Sequence, residues 1–147
     1  MMNKTKRRIT VLAASETGNA LDVAGWLTTA AEKVCSSVQL IEAGDYDPLW
    51  LAAEDILLMV TSTQGMGEPP TRAQSFYDSV MGMSSKPMQH VSFAVLGLGD
   101  SAYMDDFNRM AREFDRQYEL LGARRLTEHG ECDYDYEQTG HPSGSRD

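Results

Sequence analysis

The stretch ILLMVTSTQGMGEPP runs from Ile56 to Pro70. Its first part, Ile56 to Thr61, is apolar at successive positions, so both faces of the element need cover. That is the pattern of a central strand in a parallel sheet, whereas a half-exposed strand alternates. Glycines, an acid and two prolines follow at once, through Gly65, Gly67, Glu68, Pro69 and Pro70. A buried strand that stops in such a loop leaves its backbone open to close approach by a ligand.

The segments on either side repeat the theme. Arg8 to Ala14 reads as a short buried strand, and a Ser/Thr/Gly/Asn cluster follows it. From Asn19 to Val34 the apolar residues Ala20, Val23, Ala24, Leu27, Ala31 and Val34 recur at helical spacing. Val38 to Ile41 reads as another strand, ended by Gly44-Asp45, and Thr71 to Met83 as a helix introduced by Pro69-Pro70. Val91 to Leu96 is a strand, Asp106 to Leu121 a helix with Gly122 at its C-cap, and Arg124 to Thr127 opens a last strand. Alternating strands and helices predict an α/β fold, a doubly wound parallel sheet with right-handed crossovers. In such sheets ligands bind beyond the carboxyl ends of the strands. The irregular loops fall there: Ser15–Ala20, Ser62–Pro70 and Gly97–Asn108.

Composition narrows the function. The chain has 147 residues, 41% of them hydrophobic, which is enough for one packed domain. A net charge of −9 argues against nucleic acid and for docking to basic partners. No apolar run reaches the roughly 18–20 residues of a membrane span, so no membrane is expected. The basic start, MMNKTKRR, reads as a leader over 1–8, with the domain over 9–137 and a polar tail over 138–147. Cys35 and Cys132 are far apart and no export signal is seen, which fits a reduced cytoplasmic protein. With His90, His129 and His141 they show no metal-ligand spacing, so no metal is expected.

The first loop, Ser15-Glu16-Thr17-Gly18-Asn19-Ala20, offers neutral side-chain donors and a glycine ahead of a helix N-terminus. It has no lysine and matches neither the nucleotide-triphosphate motif nor the dinucleotide fingerprint. Two readings stand open here. Ser15 or Thr17 caps the helix, or the loop cradles a monophosphate without magnesium.

Taken in order, SETGNA, TSTQGMGEPP and LGLGDSAY resemble the three FMN-binding loops of the flavodoxin-like family. The resemblance is closest to the FMN domains of diflavin reductases, above all the sulfite reductase flavoprotein, and to related small stand-alone flavodoxins. It spans about Ile9 to Asp135. It implies a sheet of about five strands in the order 2-1-3-4-5 and FMN as the cofactor. Ser15, Glu16, Thr17, Gly18, Asn19 and Ala20 would wrap the phosphate. Ser62, Thr63, Gln64, Gly65, Met66 and Gly67 would lie beside the ring and ribityl chain. Leu98, Gly99, Asp100 and Tyr103 would lie on the other side, Phe107 and Asn108 near the ribityl chain, and Asp133 near the flavin. The family pattern further implies that the peptide at Gly65 turns its carbonyl toward the flavin when one electron is added, a turn that glycine permits. No catalytic acid or base is implied.

The chain departs from the family in places. Gln64 stands where several relatives carry Tyr or Phe, which leaves that flavin side without an aromatic cover. The third loop, Tyr103 to Asn108, is one residue longer. The ending ECDYDYEQTGHPSGSRD lacks the apolar stripe of the family's last helix, so the expected fold lacks that helix, or the tail or a partner chain covers its place. Such an uncovered face favours association. The leading expectation is a single-electron carrier between a reductase and an acceptor, both with basic docking faces. The acids Glu16, Glu68, Asp100, Asp105, Asp106, Glu131, Asp133 and Asp135 at the loop edge would steer them, against the plainer view of a solvated rim. The alternatives are the FMN domain of a multidomain NADPH-dependent diflavin reductase and a cofactor-free scaffold. A receiver domain is disfavoured, because Thr61-Ser62-Thr63 stands where its phosphoacceptor Asp belongs.

Overall fold

The structure is a computed structural model that describes residues 5–15, 18–63, 68–99, 109–127 and 130–133. Strand β1 (Thr5–Ala14) leads into helix α1 (Asn19–Ala31) and strand β2 (Cys35–Glu42). Two short 3-10 turns, Ala43–Asp45 and Pro48–Ala53, carry the chain to β3 (Ile56–Ser62). A further 3-10 turn, Thr71–Ala73, runs into α2 (Gln74–Met81), then β4 (Ser92–Gly99) and α3 (Arg109–Leu120). Two short segments, β5 (Arg124–Arg125) and β6 (Gly130–Asp133), close the described chain.

All the pairings are parallel, and the order is β2-β1-β3-β4-β5 with β6 also on β4. The expected doubly wound sheet is therefore present, with its fifth position shared by two segments. Thr61 sits opposite Ala14 on one side and Gly97 on the other, and Gly97 is opposite Glu131. The carboxyl ends of the strands thus finish at one edge.

Several boundaries differ from the sequence reading. β1 begins at Thr5, ahead of the expected Arg8, with a register irregularity between the two. Charge at the start of a strand is tolerated here because carboxylates meet it. The Arg8 backbone N–H donates to Asp55 Oδ2 at 3.0 Å, and its guanidinium reaches Glu54 Oε1 at 3.3 Å. Glu54 is itself buried and also accepts from the Thr10 and Tyr46 hydroxyls. Burial, followed by the hydrogen bond to Glu54, drives the Tyr46 hydroxyl pKa well above the ordinary tyrosine value. α2 proper starts at Gln74, because the chain leaving Pro70 first makes a tighter turn.

The two faces of the sheet are covered unequally. On one face Leu12, Leu57, Met59, Phe93 and Val95 are buried beneath α2 and α3. A column of rings runs through that layer, with Phe76–Phe114 at 5.8 Å, Phe114–Tyr118 at 5.9 Å and Tyr118–Phe93 at 5.5 Å between centroids. The Tyr118 hydroxyl donates to Met59 Sδ at 3.1 Å, and burial raises its pKa above the ordinary range. Arg125 locks the far end of α3 by gripping Asp115 at 2.7 Å and Glu119 at 3.1 Å. On the other face α1 covers Ile9, Val11, Ala13 and Val60 with Ala20, Ala24 and Ala31. There Ile56, Leu58, Ala94 and Leu96 are only half-buried, although β3 and β4 are fully covered behind them. Among the described residues, no helix is long and apolar enough to cross a membrane.

Candidate functional site

The strand ends carry more polar backbone than the sheet can pair, and short side chains meet part of it. At the end of β1, Ser15 Oγ accepts from the Gly18 N–H at 2.8 Å, folding the loop back on itself. Gly18 is the N-cap of α1 with φ of 100°, a left-handed conformation that disfavours side chains, and it receives no side-chain cap. The first helical hydrogen bond runs from Asp22 N–H to Gly18 O at 2.9 Å. The N–H groups of Asn19, Ala20 and Leu21 therefore have no place in the α1 ladder. The helix dipole adds partial positive charge at the same point.

Among the described residues Gly18, and not Ser15, stands at the N-cap of α1, and it makes no side-chain cap hydrogen bond. The Ser15 hydroxyl accepts from the Gly18 N–H one residue ahead of the helix. Thr17 lies outside the described residues. The first N–H groups of α1 are neutral donors of the kind that suits a phosphate monoester.

The other two loops start from tied strand ends. Ser62 is buried, and its hydroxyl donates to Ala14 O at 3.3 Å, joining the ends of β3 and β1. The Thr63 N–H donates to Leu98 O at 3.2 Å, and Thr63 Oγ1 accepts from the Met110 N–H at 3.1 Å. The Leu98 side chain is buried in the core on the α1 side, so only its backbone faces the loops. Ala20 is likewise buried and can offer only its backbone N–H, while Asn19 is exposed. Gly99 pairs with Asp133 at the ends of β4 and β6.

Of the residues expected at the site, Ser15, Gly18, Asn19, Ala20, Ser62, Thr63, Leu98, Gly99 and the backbone of Asp133 come together along this edge. Glu16, Thr17, Gln64, Gly65, Met66, Gly67, Asp100, Tyr103, Phe107 and Asn108 lie outside the described residues, as does the Asp133 side chain. Sequence reading missed the Leu21 N–H, the Ala14 carbonyl and the Met110 N–H. Only the first had a signal, since any helix leaves its first N–H groups bare. No cluster of metal-ligating side chains occurs among the described residues.

The chain matches the Flavodoxin family model over residues 11–144. The chain belongs to the flavodoxin family. The cofactor of that family is FMN, and the work it carries is electron transfer. Its similarity is substantial to the sulfite reductase [NADPH] flavoprotein alpha-component of Zymomonas mobilis, 43% identical over 88% of this chain. The Neisseria meningitidis counterpart is 44% identical over 87% of it. The chain spans only 21% of the length of either relative. Among solved structures it resembles oxidised flavodoxin 2 from Bacillus cereus, with a TM-score of 0.76 and 26% identity, covering 86% of this chain and 84% of that one. The flavodoxin of Streptococcus pneumoniae TIGR4 gives 0.73 and 26%, covering 82% and 81%.

The donor set fits FMN. The first N–H groups of α1, which lie outside its ladder, and a first loop without lysine suit its phosphate. The Gly18→Ala variant isolates the first of these features. A Cβ at Gly18 would meet nothing within 4 Å, so only backbone strain acts. The expected outcome is a loss of roughly 1–2 kcal/mol of stability and weaker FMN binding, read by quenching of FMN fluorescence. Affinity equal to wild type would mean that the left-handed entry to α1 does not shape the cradle.

Proposed function

We propose that the chain is a single-electron shuttle of the short-chain flavodoxin type, taking electrons from a reductase and passing them to an acceptor. One observation carries this: the strands finish at one edge, where the first N–H groups of α1 lie outside its helical ladder beside the tied ends of β3 and β4. FMN supplies the redox chemistry, so the protein needs no acid or base of its own. In this reading Ser15, Glu16, Thr17, Gly18, Asn19 and Ala20 surround the phosphate. Gln64, Gly65, Met66 and Gly67 face one side of the ring, and Asp100 and Tyr103 the other. Phe107 and Asn108 lie near the ribityl chain and Asp133 near the flavin.

A second reading is favoured by a specific observation. Identity reaches 43–44% with sulfite reductase flavoproteins but 26% with the stand-alone flavodoxins. The same unit then serves as the FMN domain of an NADPH-dependent diflavin reductase, receiving electrons from a neighbouring flavin domain. Both readings place the protein in the cytoplasm and give it partners with basic docking faces, in keeping with a net charge of −9.

Electron transfer to a basic acceptor protein such as a cytochrome tests the shuttle. Its bimolecular rate is expected to fall severalfold between about 0.01 and 0.1 M salt, as the Debye length shortens from about 30 to about 10 Å. A rate indifferent to salt would contradict acidic docking. The half-buried patch of Ile56, Leu58, Ala94 and Leu96 supports association of two copies through that sheet face. Sedimentation over a wide concentration range is expected to show a dimer that Leu58→Glu disperses. A wild-type monomer at every concentration would contradict this.

A further inference from the structure

Thr63 touches both stems of one loop. The segment 100–108 leaves β4 after Gly99 and rejoins the described chain at Arg109, the first residue of α3. On the outgoing stem, the Thr63 N–H donates to Leu98 O at 3.2 Å. On the returning stem, Thr63 Oγ1 accepts from the Met110 N–H at 3.1 Å. Met110 is the second residue of α3, and a backbone N–H at that position has no partner within its own helix. Its cap comes from a residue 47 positions away in sequence, at the end of β3.

From this geometry we infer that Thr63 is a positioning residue, a clasp that fixes both ends of the third loop relative to the second, and not itself a ligand of FMN. The inference rests on the FMN reading of this edge. It gives Thr63 a different task from that of a residue lying against the ring. The backbone half of the clasp continues the β3–β4 ladder and is available to any residue but proline. The side-chain half needs a short neutral acceptor, held still. A β-branched residue supplies that, because its χ1 is stiff, and the contact is partly buried, which limits competition from water. Met110 is buried in the core beneath the sheet, so the start of α3 is held by packing below and by the Thr63 oxygen at its first turn. Pinning both stems reduces the conformations open to the loop between them. Stems fixed in advance are the kind of pre-organisation that favours binding.

Thr63→Val removes the acceptor and keeps the shape and the backbone N–H, while Thr63→Ser keeps the hydroxyl. In the FMN-loaded protein, Thr63→Val is expected to speed amide exchange at Met110 and to release FMN roughly two- to tenfold faster, the worth of one neutral hydrogen bond. It should also change the visible circular dichroism of the bound flavin. Thr63→Ser should restore all three to near wild type. Wild-type FMN release and dichroism in Thr63→Val would overturn the positioning role. Faster release with unchanged Met110 exchange would mean that the hydroxyl serves FMN directly, and would overturn it too, as would equal damage from Thr63→Ser. A wild-type protein that takes up no FMN would instead sink the FMN reading. The clasp is then judged on Met110 exchange in the unloaded protein, where no difference between wild type and Thr63→Val overturns it.

Discussion

In-register parallel pairing of β1, β3 and β4 is the constraint on which the rest of the molecule depends. Strands paired this way run out together, and their last backbone groups have no further ladder to join. An unpaired buried carbonyl or N–H is costly, so each strand end recruits a neighbour. The Ser62 hydroxyl takes the Ala14 carbonyl, the Thr63 N–H takes the Leu98 carbonyl, and the Gly18 N–H finds Ser15. These ties fix the described stems of the loops at the edge where α1 begins. The binding edge is thus a consequence of where a parallel sheet stops.

Placement of α3 follows from the same sheet. Its start is held against β3 through Thr63 and Met110, and its end against β5 through Arg125, Asp115 and Glu119. Between these anchors, Phe114 and Tyr118 are stacked in the aromatic column that reaches Phe93. Tyr77 and Glu113 add a hydrogen bond between α2 and α3. That bond, with burial, pushes the Tyr77 hydroxyl pKa up to about 12. The folded state thus holds Tyr77 protonated more strongly than the unfolded chain does. Its contribution is complete below the ordinary tyrosine value near 10 and is lost as pH climbs through about 12. The Tyr77–Glu113 bond between α2 and α3 is thus intact at neutral pH, while the half-buried patch on the α1 side offers an apolar surface.

Much of this was legible in the sequence because it is local. Ile56 to Thr61 is apolar on both faces and so had to be a central strand. The spacing of Ala20, Ala24 and Ala31 marked the buried stripe of α1. What was hidden is non-local. The start of β1 at Thr5 was hidden in the basic run before Ile9, because the Glu54 and Asp55 carboxylates that Arg8 meets lie 46 and 47 residues further on. The bond from the Met110 N–H to Thr63 Oγ1 was hidden because 47 residues separate the two. The split of the last strand position into β5 and β6 has no signal in the polar run Thr127 to Gly130.

In the proposed function, this edge holds a flavin by its phosphate, through uncharged donors at the start of α1. Comparing FMN with riboflavin, its counterpart without the phosphate, tests that most directly. Titration of flavin-free protein, followed by loss of flavin fluorescence, should give one FMN per chain. FMN should bind at least roughly 100-fold more tightly than riboflavin, as two hydrogen bonds to a charged group would provide. Equal affinity for the two would contradict the phosphate cradle, and failure to bind either would leave the fold as a scaffold without its cofactor.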